Sequence, residues 1–94
     1  MLAKVLKEEG LLKSINGVNF VHKILKKGDT IEKHNHPDME IVFAVMKGSF
    51  EITIGEVEKH VVNAGEALNF DGTNTISAVA MDDSESLVVL VNKE

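Results

Sequence analysis

Short runs of apolar and β-branched residues, separated by glycines and polar pairs, recur along almost the whole chain. Such runs, bounded by turn-forming residues, are typical of β-strands rather than helices. The dipeptide Asn16-Gly17 is a strong turn signal and precedes the first clear run. The pattern predicts eight strands, at 18–25, 30–36, 40–46, 49–54, 57–62, 67–70, 75–81 and 86–91. Eight short strands in a small domain predict an all-β fold of the jelly-roll barrel type.

The first fifteen residues do not follow this strand pattern. Lysines and glutamates interrupt the apolar residues before Gly10 and favour a short helical turn that the glycine would end. We interpret residues 1–15 as an N-terminal arm. Because little chain surrounds Leu11, Leu12 and Ile15, these side chains need a further surface to cover them. The arm therefore predicts a homodimer.

Length and composition set the class of protein. With 94 residues, the chain has room for one modest core, so residues 1–94 are predicted to be a single domain. The absence of cysteine excludes disulfides and thiol chemistry. Fifteen acidic residues outnumber ten lysines, and four phenylalanines are the only aromatic residues, which argues against nucleic-acid binding. No apolar stretch is long enough to span a bilayer and no secretory signal is present, so a cytoplasmic location is expected.

The side chains that suggest chemistry are His34, His36 and Glu40. Residues two apart on a strand project from the same face, which gives a usable pair of imidazoles. Pro37-Asp38 is a turn signal, so the chain is expected to fold back and place Glu40 opposite the histidines. Two imidazoles and a carboxylate are ligands for a divalent ion. Taken alone, a histidine pair of this spacing is more often a surface or packing pair, but a buried Glu40 would need a partner.

The spacing around these residues resembles the first motif of the cupin superfamily. Five residues separate Gly28 from His34, one residue separates the two histidines, and three residues precede Glu40. The resemblance implies a small double-stranded β-helix barrel. It also implies that His34, His36 and Glu40 bind a divalent transition metal such as iron, manganese, nickel or zinc. In that family, a histidine of a second motif completes the set of metal ligands.

The chain departs from the cupin pattern at two places. Seven residues separate Glu40 from Gly48 where six are usual, which predicts a one-residue bulge on that strand. The second motif resembles residues 63–73, but Ile76 stands where a ligand histidine is expected, or Thr75 in a shifted register.

The resemblance leaves several function classes open. The first is a barrel that holds a divalent metal together with a small-molecule ligand or substrate. A second is a metal-dependent dioxygenase, isomerase or lyase, and a third is a non-catalytic binding or sensory module without metal. His60 has no ligand spacing, so it is interpreted as a hydrogen-bonded core or rim residue. The expected cavity lining is Phe43, Val45, Phe50 and Ile52, or the residues that alternate with them on the same strands.

Overall fold

The computed structural model describes residues 2–93; Met1 and Glu94, the two ends of the predicted domain, lie outside these residues. The described chain is all-β. Its strands are β1 (Gly10–Ile15), β2 (Val18–Leu25), β3 (Thr30–His34), β4 (Met39–Lys47), β5 (Ser49–Ile54), β6 (Glu58–Asn63), β7 (Ala67–Asp71), β8 (Ile76–Ala80) and β9 (Ser84–Asn92). Over residues 2–93, no helix is long and apolar enough to cross a membrane.

The strands form two antiparallel sheets that pack face to face. One sheet has five strands in the order β1-β2-β9-β4-β7, and the other has four in the order β3-β8-β5-β6. From β2 to β9 the chain passes between the two sheets at almost every turn, so each sheet contains strands that are distant in sequence. This is the jelly-roll, or double-stranded β-helix, arrangement that the strand pattern predicted.

The core lies between the two sheets because the strands alternate apolar inward residues with outward ones. On β4, Ile41, Phe43 and Val45 are each at most 2% exposed. The rings of Phe43 and Phe50 meet edge to face across the sheets, with their centroids 5.2 Å apart. Thirteen buried apolar side chains form this cluster: Ile41, Phe43, Val45, Phe50, Ile52, Ile54, Val62, Phe70, Ile76, Ala78, Ala80, Val88 and Leu90.

The eight predicted strands are all present, with ends that differ by one or two residues. A ninth strand, β1, was not predicted. It pairs with β2 from Gly10 opposite His22 to Ile15 opposite Val18, so this part of the chain belongs to the sheet and not to an arm. The arm is therefore shorter than predicted, and residues 2–9 contain no helical turn.

Candidate ligand-binding pocket

A cavity of about 250 Å³ lies between the two sheets at one end of the barrel. Its lining is apolar except at the mouth, where His34, His36 and Lys23 lie. We call this end of the barrel the pocket end. The remaining lining residues are Val21, Ile31, Ile41, Phe43, Phe70, Ile76, Val88 and Leu90.

A β-bulge turns His34 toward the cavity. Strand β3 pairs with β8 through Ile31 opposite Ala78 and His34 opposite Ile76, so three steps on β3 match two steps on β8. In a regular strand, residues three apart face opposite sides. The extra residue in β3 reverses that alternation, and both Ile31 and His34 line the cavity. Bulges commonly redirect a side chain beside a functional site.

Backbone contacts with Gly72 hold the loop that carries His36. The amide of His36 donates to the carbonyl of Gly72 at 2.8 Å, and the amide of Gly72 donates to the carbonyl of Met39 at 2.8 Å. A Cβ added to Gly72 would lie 2.3 Å from the carbonyl oxygen of His36. The close approach therefore requires glycine at this position. The sequence signal was the Asp71-Gly72 turn dipeptide, although the turn gave no reason to connect it with His36.

The two imidazoles lie side by side at the mouth. Their ring centroids are 4.9 Å apart and the planes are almost perpendicular, at 87°. Nδ1 of His34 lies 2.7 Å from the carbonyl oxygen of Glu32. A carbonyl only accepts, so Nδ1 carries the proton and Nε2 of the neutral ring is left with its lone pair free. Burial of the ring, followed by the nearby His34 and Lys23, lowers the pKa of His36 below its ordinary value.

Glu40 does not join the histidines in this structure. Its neighbour Ile41 points into the cavity, so strand alternation turns Glu40 to the outer face of the five-stranded sheet. There its carboxylate accepts a hydrogen bond of 2.9 Å from the side-chain amide of Asn69. The expected proximity of Glu40 to the imidazoles is therefore not found, and Ile41 occupies the position.

The bulge predicted between Glu40 and Gly48 is present, but it does not alter this outcome. Pairing of β4 with β9 shifts between Val45 and Lys47, which is beyond the residues that line the cavity. A bulge there leaves the facing of Glu40 unchanged. The sequence did contain a signal for the correct register, because the usual spacing of six intervening residues before Gly48 places the motif's acidic position at Ile41.

Ile76 faces the cavity from β8, directly opposite His34. Of the two registers considered for the altered second motif, the structure therefore supports Ile76 and not Thr75. Among residues 2–93, no three histidine or acidic side chains lie close enough together to hold a metal ion. The imidazoles of His34 and His36 have hydrocarbon side chains such as Ile41 and Ile76 around them in the cavity. Two imidazoles do not fit a permanently bound metal ion, which needs three or four protein ligands.

Lys23 is the pocket residue that sequence reasoning missed. It lies on the inner face of β2, where it pairs with Ser86 of β9. Apolar and polar residues occur on both faces of the run Val18–Leu25, so alternation alone gave no inward direction. The signal was a charged residue two positions from both Val21 and Leu25, which are partly buried against the core.

The other histidines have structural roles. His60 contacts the carboxylate of Glu58 on β6 and does not line the cavity, which agrees with its interpretation as a rim residue. His22 is buried on the outer face, with Nε2 3.0 Å from the carboxylate of Glu85. Its Nδ1 lies 3.1 Å from the carbonyl oxygen of Glu8, so the ring ties the end of the arm to the sheet.

Comparison with known proteins agrees with this architecture. Residues 21–91 match the family described as the cupin domain. A conserved protein of unknown function from Streptococcus pyogenes is 25% identical, with a TM-score of 0.78 over 89% of this chain and 72% of that one. KdgF from Halomonas sp. is 20% identical, with a TM-score of 0.80 over 89% and 76%. An RmlC-like cupin from Desulfovibrio desulfuricans is 18% identical, with a TM-score of 0.80 over 97% and 91%.

No curated protein matches the chain. At these identities the solved structures show a shared fold, and none of them supplies a substrate or a cofactor for this protein. The family match covers most of the chain, and it includes both histidines and every strand from β3 to β8. The chain therefore belongs to the cupin family.

Proposed function

We propose that this protein binds a compact small molecule in the cavity at the pocket end, without a resident metal ion. The observation that carries the proposal is the distribution of polar groups in the cavity: an apolar interior of about 250 Å³ with Lys23, His34 and His36 only at its mouth. Ligand sites typically combine an apolar enclosure with a few convergent polar groups that fix orientation.

The donor set favours binding over metal-dependent catalysis. The resemblance to the first cupin motif implies a metal ligand set that includes a carboxylate, whereas Glu40 faces outward and bonds to Asn69. Ile41 and Ile76 contribute hydrocarbon to the same space. Hydrocarbon on the walls favours the burial of an apolar ligand surface, which stabilises a complex by roughly 25 cal/mol per Å².

Two substitutions on β9 test the binding proposal. Val88 points into the cavity and Val89 points to the outer face, so Val88→Phe fills the cavity and Val89→Phe is the matched control. The methyl groups of Ile31, Ile41 and Ile76 are followed by NMR while compact neutral molecules such as cyclohexanol or benzyl alcohol are added. Saturable shifts in wild type and in Val89→Phe, absent in Val88→Phe, are expected. Shifts that never saturate, or that persist in Val88→Phe, would contradict the proposal.

A second candidate function is weak uptake of a divalent transition ion by the histidine pair. The specific observation is the bond from Nδ1 of His34 to the carbonyl of Glu32, which leaves Nε2 free. A backbone carbonyl on the second nitrogen is the usual orienting contact of a metal-bound histidine. Two protein ligands give a weak site, and the remaining positions would need water or a bound molecule.

Metal titration of four proteins tests this candidate. Wild type is expected to bind zinc or nickel weakly, and a His34→Ala, His36→Ala double variant is expected to lose that binding. Ile76→His adds a third imidazole opposite His34, so affinity is expected to rise about tenfold or more. Thr75→His is the matched control, because Thr75 does not line the cavity. Equal binding by wild type and the double variant would refute metal binding by the pair.

We propose that the protein assembles as a homodimer, with the arm and the outer face of the five-stranded sheet as its interface. Leu2 is fully exposed and Val5 is 81% exposed on the arm, while Ile15, Ile24 and Val91 expose apolar surface on the sheet. A second copy brings both surfaces at once, which favours a symmetric pair. Light scattering of wild type and of a chain lacking residues 1–9 tests this. A monomer in both cases would contradict it.

A further inference from the structure

The lining of the cavity carries one permanent positive charge and no negative one. Lys23 lies at the mouth of the cavity, and its ammonium group forms no ion pair with a carboxylate of the described residues. No acidic side chain of residues 2–93 lines the cavity itself. This is unusual for a chain with a net charge of −5, in which acidic residues are abundant elsewhere. The cavity lining is therefore locally positive on an acidic protein.

We propose that the natural ligand is a monoanionic carboxylate with a compact apolar body, and that Lys23 binds its carboxylate. The proposal rests on the proposed function, because it names the class of molecule that the pocket binds. The apolar body occupies the cavity among Ile41, Ile76 and Val88, and the carboxylate stays at the mouth. One oxygen accepts from the ammonium group of Lys23, and the other accepts from a ring N–H of His36.

His36 is available for that contact. Its backbone is held by Gly72, but its ring has no hydrogen-bond partner among the described residues. His34 packs edge to face against it and restricts the orientation of its ring. An N–H at this site gains a charge-assisted hydrogen bond when a carboxylate arrives, and such bonds are stronger than neutral ones.

The size and charge of the site restrict the anion further. A volume of about 250 Å³ corresponds to roughly eight water molecules, which suits a short branched or single-ring acid and not a long chain. One lysine matches one negative charge, whereas a phosphate dianion is usually held by several cations or by backbone amides. Outside the mouth, the wider groove is lined by Glu9, Asp29 and Glu32 together with Lys23 and Lys33, so its carboxylates outnumber its cations and disfavour an anion that carries further charges. A compact monocarboxylate satisfies all three conditions.

The experiment compares each acid with its own amide. Isobutyrate, benzoate and phenylacetate, together with isobutyramide, benzamide and phenylacetamide, are titrated into the full chain by calorimetry and by NMR of the pocket methyl groups. EDTA is present throughout, so that binding through a metal does not contribute. Lys23→Met removes the charge but keeps the length of the side chain, and Lys23→Gln is a second variant. Lys27→Met is the matched control, because Lys27 is exposed and lines no part of the cavity.

At least one acid is expected to bind about tenfold more tightly than its amide, as a charge-assisted hydrogen bond predicts. That preference should disappear in both Lys23 variants and persist in Lys27→Met. Equal affinities for acids and amides, or a preference that survives in the Lys23 variants, would overturn the inference and leave the proposed function standing. If no acid shifts the pocket methyl groups, the inference is also overturned. In that case the Val88→Phe experiment with neutral molecules decides separately whether the proposed function survives.

Discussion

The two ends of the barrel share strands β4, β8 and β9 but are filled differently. At the pocket end, Ile41 and Ile76 face a cavity, whereas at the other end Phe50 and Ile52 are completely buried. We call the latter, formed by Val45, Phe50, Ile52, Ala80, Ser84 and Ser86, the closed end. The contact between Phe43 and Phe50 separates the two. One end of this small core therefore stabilises the fold, and the other leaves space for a ligand.

The comparison predicts that the same substitution lowers the free energy of unfolding more at the closed end than at the pocket end. Ile52 is 0% exposed on β5 and Ile76 is 4% exposed on β8, in the same sheet. Ile52→Ala is expected to lower the free energy of unfolding by about 4 kcal/mol, and Ile76→Ala by about 2 kcal/mol, because Ile76 already faces empty space on one side and has fewer contacts to lose. Urea unfolding of both variants measures the difference. Equal losses would show that the cavity is packed in solution.

Substitution of a glycine beside the closed end is expected to destabilise the protein nearly as much as Ile52→Ala. Gly48 has a φ of +73°, and an added Cβ would lie 2.2 Å from Oγ of Ser84. Gly55 has a similar φ of +63°, but open space surrounds its Cβ position. Gly48→Ala is therefore expected to cost about 3 kcal/mol, from backbone strain and overpacking together. Gly55→Ala, the matched control, is expected to cost about 1 kcal/mol, from strain alone.

Thermal unfolding of these two glycine variants separates the two causes. If Gly55→Ala destabilises the protein as much as Gly48→Ala, backbone strain accounts for both results. The close approach of Ser84 to the turn would then have no energetic role.

Two serines on the inner face of β9, both at the closed end, differ in their hydrogen bonding. Oγ of Ser84 accepts from the amide of Ser49 at 3.0 Å, whereas Oγ of Ser86 is buried without a hydrogen-bond partner in the described chain. Ser84→Ala is expected to lower the free energy of unfolding by about 2 kcal/mol, because it leaves the partly buried amide of Ser49 without this acceptor. Ser86→Ala is expected to change stability by less than about 0.5 kcal/mol or to increase it. Chemical denaturation checks both, and a larger loss in Ser86→Ala would reveal a partner for that hydroxyl.

The smallest expected effect is a pH dependence at the pocket end. The pKa of His36 is lowered by burial, His34 and Lys23, so the folded state binds this proton less readily than the unfolded chain does. Stability should therefore fall as the pH drops below about 6.5, the ordinary value for histidine. NMR titration in EDTA should show His36 titrating below that value, and Lys23→Met should raise the pKa of His36 only slightly, because Lys23 is the smallest of the three causes. A His36 that titrates above the ordinary value would contradict this arrangement.

Most of the fold followed from strand alternation, because inward and outward residues differ in polarity on strands such as Ser49–Ile54. The exception was Gly10–Ile15, whose pairing depends on the backbone of β2 rather than on its own side chains. The alternation of apolar and polar residues cannot identify an edge strand whose residues are mostly exposed, because neither face is then restricted to apolar residues. The chain therefore has one more strand than its pattern predicts.

The pocket was harder to predict because single-residue shifts decide it. The motif spacing identified His34 and His36 as neighbours, and the structure brings these two together. It also proposed Glu40, but a strand reverses its facing at each residue, so Ile41 is the residue that faces the pocket. The bulge that turns His34 inward has no sequence signal. Lys23 lies on a strand with apolar residues on both faces, so the sequence did not show which face is inward. Metal binding by the pair stays a prediction.

The bulged strand β3 has a kinetic consequence. It lies at the edge of its sheet and pairs only with β8, whereas β4 lies between β7 and β9. Strand β3 can therefore separate from one neighbour without disturbing the rest of the barrel, and its amides should exchange with solvent faster than those of β4. We expect local opening of this edge, rather than global unfolding, to set the exchange rate of the β3 amides.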